Sequence, residues 1–204
     1  MKKLLLLPVL VLASIVVAKA QTSYGVKAGL NMAKVSMSGG GVSESTDSKA
    51  SFYVTAFADI PVAMNLSVQP GVSLQGKGGK MALSDLGGSG GDVKMDLMFI
   101  EVPVNFVYYI PTADIGSVFL GAGPYAAFGL NAKSKGAGVE KSGSFSDNGL
   151  NAFDAGINVL AGYKLTNGFL INLGYGLGLT NMVKDSGDLS SKNRVFSVGV
   201  GFQF

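Results

Sequence analysis

The sequence contains no cysteine and no histidine. Without cysteine an exported chain has no disulfide to staple it, so burial and backbone pairing must hold the fold. Without histidine, Ser-His-Asp and Cys-His nucleophile systems, imidazole acid–base catalysis and ordinary zinc sites are all excluded. Charge is also sparse, at 14% of 204 residues. Beyond the first twenty residues no apolar run reaches the ~18 residues that a spanning helix needs, yet the mean hydropathy is positive. A chain this apolar with no second hydrophobic helix points to strands.

The first twenty residues form a separate unit. Lys2 and Lys3 make a basic n-region, Leu4 to Val17 an apolar h-region, and Ala18-Lys19-Ala20 an A-x-A cleavage signal. Cleavage after Ala20 is expected, with residues 21–204 as the mature domain. No cysteine follows to carry a lipid anchor. Lys2, Lys3 and Lys19 account for the excess of 16 basic over 13 acidic residues, so the mature chain holds 13 of each. The basic isoelectric point therefore belongs to the export signal and implies no nucleic-acid partner.

Eight segments alternate apolar with small or polar residues at period two, the pattern of a strand with one apolar face. They begin with Tyr24 to Met32, followed by stretches at about 50–59, 63–75, 95–109, 117–130 and 151–164. The seventh runs from Phe169 to Leu179, and the eighth is "RVFSVGVGFQF" (194–204), where Phe196, Val198, Val200, Phe202 and Phe204 share a face. Long loops rich in Gly and Ser are expected at about 33–49, 76–94, 131–149 and 180–193. Short turns are expected at about 60–62, 110–116 and 165–167. Long and short connections in alternation fit an antiparallel barrel with outer loops and tight periplasmic turns.

A soluble barrel or sandwich is the competing architecture, but it needs a charged outer face. Within these limits only Lys27, Asp59, Glu101 and Asp154 are charged well inside strands, and the second face is otherwise Gly, Ser, Asn and Gln. Such a face suits the crowded lumen of a narrow barrel. The apolar face then meets lipid, where a closed barrel alone leaves no unsatisfied strand edge. The expected fold is therefore all-β: an eight-stranded, up-and-down, transmembrane antiparallel barrel.

Several stretches carry a family likeness: "YGVKAGLN" (24–31), "LMFIEVPVNFVYYI" (97–110), "LGAGPYAAFGL" (120–130), "NAFDAGINVLAGYKL" (151–165), "YGLGLTNM" (175–182) and the final strand. In order and spacing they resemble the small PorT-like outer-membrane β-barrel family typical of Bacteroidetes. The resemblance implies an eight-stranded barrel in the outer membrane, and the family name hints at a role in an export apparatus. It supplies no catalytic residue.

No catalytic, cofactor or metal site emerges. Glu101 and Asp154 could in principle form a catalytic carboxylate pair, but inward carboxylates in a narrow barrel read better as structural. Strand parity places Lys27, Glu101, Asn105, Tyr125, Asp154 and Asn158 in the lumen as a polar network. In it Lys27, the only strand-interior cation, is expected to pair with Glu101, while Asp154 takes Asn, Tyr or water partners. Phe202 and Phe204 resemble the C-terminal signal read by outer-membrane assembly machinery. Lys133, Lys135 and Lys141 are candidates for contact with lipopolysaccharide phosphates, although solvated loop residues are the favoured reading. The expected function is a non-enzymatic scaffold displaying four surface loops to an unknown ligand. The alternatives are a narrow solute channel and an accessory part of an export apparatus.

Overall fold

The computed structural model describes residues 22–39, 42–82, 92–112, 115–136, 139–183 and 190–204. The expected signal, with Ala18 and Ala20, lies outside them. Ten strands follow in chain order: β1 (Ser23–Gly39), β2 (Val42–Ser45), β3 (Lys49–Ala63), β4 (Leu66–Ala82), β5 (Asp92–Thr112), β6 (Gly116–Gly136), β7 (Val139–Gly143), β8 (Phe153–Leu165), β9 (Phe169–Gly178) and β10 (Ser190–Gln203). Eight of them form the barrel, in the order β1-β3-β4-β5-β6-β8-β9-β10, each antiparallel to the next. Pairing of β10 with β1 closes the sheet. The seam ends in reciprocal bonds between Tyr24 and Phe204, with N···O distances of 3.1 and 2.8 Å. β2 and β7 are short strands that extend β1 and β6 at the end bearing the long connections.

The period-two pattern translates directly into facing. Along β3 and β6 buried and exposed residues alternate, and the outer surface carries Val54, Phe106, Leu120, Phe128, Ile171, Leu173 and Phe202. An unsatisfied backbone edge in hydrocarbon costs several kcal/mol per group, so closure is what allows so apolar an exterior. Following paired residues once round the sheet leaves β1 at Ser23 and returns to it at Ala33, a stagger of ten residues. For eight strands such a stagger implies a tilt of roughly 35–45°. Each step to the next strand therefore climbs toward the loop end.

Several boundaries differ from the sequence expectation. The first short turn lies at Met64 and Asn65, not at 60–62, and Pro61 lies within β3 beside a register irregularity. Asn65 takes the left-handed conformation that closes this turn (φ 62°), as Gly168 does between β8 and β9 (φ 91°). The strands also run further toward the loop end than their composition suggests. β1 continues to Gly39, β4 to Ala82 and β6 to Gly136, through stretches expected to be loop. Lys77 thereby becomes a strand residue.

Candidate functional site

The polar groups of the lumen gather at two heights. Near the turn end, Asp59 on β3 accepts hydrogen bonds from Gln69 Nε2 (2.9 Å) and Tyr109 OH (3.2 Å) at Oδ1, and from Gln203 Nε2 (3.1 Å) at Oδ2. Lys27 stands just above, its Nζ 4.4 Å from the centre of the Phe57 ring. All the donors to Asp59 are neutral.

Further up, Lys77 on β4 is 3% exposed and bridges two carboxylates across the bore. Its Nζ lies 2.9 Å from Glu101 Oε2 on β5 and 3.0 Å from Asp154 Oδ2 on β8. One cation among two anions leaves a formal negative charge, which neutral donors disperse. Asp154 receives Thr180 Oγ1 (2.8 Å), Asn193 Nδ2 (3.2 Å) and Tyr125 OH (3.3 Å). Glu101 receives Asn158 Nδ2 at 3.2 Å. The Tyr125 and Phe99 rings flank the ammonium, with centroids 4.4 and 5.1 Å away. Gly156 makes room for this: a Cβ there would lie 2.7 Å from the Tyr125 ring and hydroxyl. Buried charges persist only when paired and hydrogen-bonded in this way.

This arrangement corrects the expected Lys27–Glu101 pair: the partner of Glu101 is Lys77. Stagger explains why. Lys27, Thr55, Ser73 and Glu101 are successive partners across β1, β3, β4 and β5. Three such steps lift Glu101 about four residues above Lys27. The same climb from Ser73 through Glu101 and Ala127 to Asp154 brings Asp154 level with Lys77. Of the six residues named from sequence, Glu101, Tyr125, Asp154 and Asn158 meet in this cluster. Lys27 and Asn105 line the cavity of about 90 Å³ beneath it, and Asn105 Oδ1 has no hydrogen-bond partner among the described residues. Sequence reasoning missed Lys77, Thr180 and Asn193. Lys77 follows Ser73 and Gln75 at lumen parity, the one signal that could have found it.

Above the ion cluster the bore is closed by apolar side chains. Phe99 and Leu97 pack with Phe145, Leu150 and Met182, and the Phe99 and Phe145 rings meet edge to face at 4.9 Å. Phe145 precedes a 3-10 turn (Ser146–Asn148) in the β7–β8 connection. Its ring occupies the place a Cβ on Gly129 would take, so the missing side chain on β6 lets a loop residue enter the mouth. Among the described residues no group of acidic, His or Cys side chains could hold a metal. Phe202 and Phe204 both face outward.

A closed antiparallel barrel with an apolar exterior and a packed polar lumen is a small eight-stranded outer-membrane β-barrel. The chain belongs to the family described as outer membrane protein beta-barrel domain, whose model matches residues 19–184. No curated protein matches the sequence. Solved structures of similar fold include Ail, the attachment invasion locus protein of Yersinia pestis, at 15% identity and a TM-score of 0.46, covering 91% of this chain and all of that one. Neisserial surface protein A shows 15% identity and a TM-score of 0.49 over the same shares. OprG from Pseudomonas aeruginosa shows 13% identity and a TM-score of 0.46, over 89% of this chain and 95% of that one.

Proposed function

We propose that this barrel is a non-conducting, non-enzymatic scaffold that anchors its long loops at the cell surface for contact with a partner. The observation that carries this reading is the obstruction of the bore at two successive heights. The Lys77–Glu101–Asp154 cluster crosses it, and the Phe99–Phe145 packing lies directly above. An eight-stranded lumen is just wide enough for its own side chains to fill. Insertion through assembly machinery that reads Phe202 and Phe204 belongs to the same proposal, as does affiliation with PorT-like barrels of Bacteroidetes, supported by the strand stretches quoted above. The test is planar-bilayer recording of the purified protein. Baseline current throughout is expected, and steady unit currents would replace the scaffold with a channel.

A further inference from the structure

The outer wall at the loop end carries an unusual succession of rows across β4, β5 and β6. Leu74, Ile100 and Phe128 are in register and exposed, as part of the apolar belt. Next come Gly76, Met98 and Asn131, then Gly78, Asp96 and Lys133, then Lys80, Lys94 and Lys135. Three lysines thus stand directly opposite one another on one face. Like charges in direct cross-strand register destabilise a sheet unless something neutralises them.

The protein supplies only part of that neutralisation. Lys135 pairs with Glu140 at 3.0 Å, Lys80 has a partner of its own, and the charge of Asp96 is taken by Lys49. Lys94 and Lys133 have no ion-pair partner among the described residues, and Lys94 also repels the Lys49 ammonium. Beside these lysines the wall is hollow. β4 leaves its ladder with β3 above the Tyr53–Gln75 pair, and Gly76 lies in the floor of the opening. A recess of about 540 Å³ opens there, with Ala50, Phe52 and Met98 at its apolar side, Lys133 and Lys135 at its basic side, and Asp96, already paired with Lys49, between them; Lys94, opposite Lys135, stands at its rim.

A barrel of this kind turns its long loops outward, so the recess spans the boundary between the hydrocarbon and the headgroups of the outer leaflet. Basic side chains at that height attract lipid phosphates, at about 1 kcal/mol each, and long lysines reach there readily. We propose that the recess is a binding site for a phosphorylated lipid of the outer leaflet. The phosphate lies between Lys94 and Lys133, and the acyl chains descend over Met98, Phe52 and the Leu74–Ile100–Phe128 row. The inference is independent of whether the lumen conducts.

Native mass spectrometry of the detergent-solubilised, full-length protein tests it, with a diphosphoryl glycolipid, its dephosphorylated counterpart and inorganic phosphate as separate probes. Wild type should retain one diphosphoryl glycolipid. Lys94→Gln with Lys133→Gln should weaken retention roughly thirty-fold, about five-fold per lysine. Both proteins should shift identically on heating in gel electrophoresis, which checks folding. Lys133→Arg should bind as wild type, since the cation is kept. Three results would each overturn the assignment: equal retention by wild type and the double variant, equal retention of the dephosphorylated lipid, or displacement by millimolar inorganic phosphate.

Discussion

At the turn end of the lumen one carboxylate, Asp59, is held entirely by neutral donors, while the nearby Lys27 rests on an aromatic face. At the higher level two carboxylates share a single ammonium. The carboxylates of both levels are buried, but the two levels depend on different physics. An amide or hydroxyl donor can be rearranged when its acceptor changes. A buried cation that balances two anions cannot, because its removal leaves like charges facing each other in a poorly solvated space. The lower level should therefore tolerate substitution, and the upper level should behave as a unit.

The largest expected effect is at Lys77. Lys77→Met leaves Glu101 and Asp154 uncompensated, and breaking a buried pair in this manner costs about 3–5 kcal/mol. Removing all three charges together, with Lys77→Met, Glu101→Gln and Asp154→Asn, should recover most of that loss, because no charge is then stranded. Urea unfolding of the folded protein in lipid vesicles measures both. A triple variant as unstable as the single one would mean that packing of the lysine stem, not charge balance, dominates the upper level.

The lower level provides the contrast. Asp59→Asn removes a charge but keeps one acceptor for Gln69 and Tyr109. The new amide meets Gln203, whose Oε1 is buried without a partner among the described residues. A flip of the Gln203 amide turns that oxygen toward the new donor, and Ser23, now 2.6 Å from Gln203 Nε2, has a hydroxyl that can donate in return. The expected cost is about 1 kcal/mol, the scale of an ordinary hydrogen bond. A loss as large as that of Lys77→Met in the same unfolding assay would erase the distinction between the two levels.

The sequence made the barrel legible because period two persists through every strand, and because charge is nearly absent from the middle of those strands. The parity that put Glu101, Tyr125, Asp154 and Asn158 inside is the same signal. The rest was hidden for identifiable reasons. "GKGGK" (76–80) has the composition of a loop and hides Lys77, yet in a narrow barrel glycine is what lets strands approach closely. Pro61 resembled a turn residue, although the left-handed Asn65 makes the turn. Phe145 enters the mouth from a segment without periodicity. Partnership across the lumen depends on stagger, a property of the closed sheet that no single strand encodes.

The smallest expected effect sharpens the comparison most directly. Lys27 and Glu101 belong to different levels: Lys27 has an aromatic neighbour and the field of Asp59, whereas Glu101 bonds to Lys77 and Asn158. Lys27→Met therefore forfeits a cation–π contact worth about 0.5–2 kcal/mol and some attraction to Asp59, and strands no anion that relies on it alone. Glu101→Gln keeps an acceptor for Asn158 and leaves Asp154 as the remaining partner of Lys77. Because the two sites share no hydrogen-bond partner, the double variant should equal the sum of the singles to within about 0.5 kcal/mol. A coupling of 1 kcal/mol or more in the same unfolding measurement would join the two levels into one network and restore a direct Lys27–Glu101 interaction. An additive cycle keeps Lys77 as the only lysine that balances the upper carboxylates.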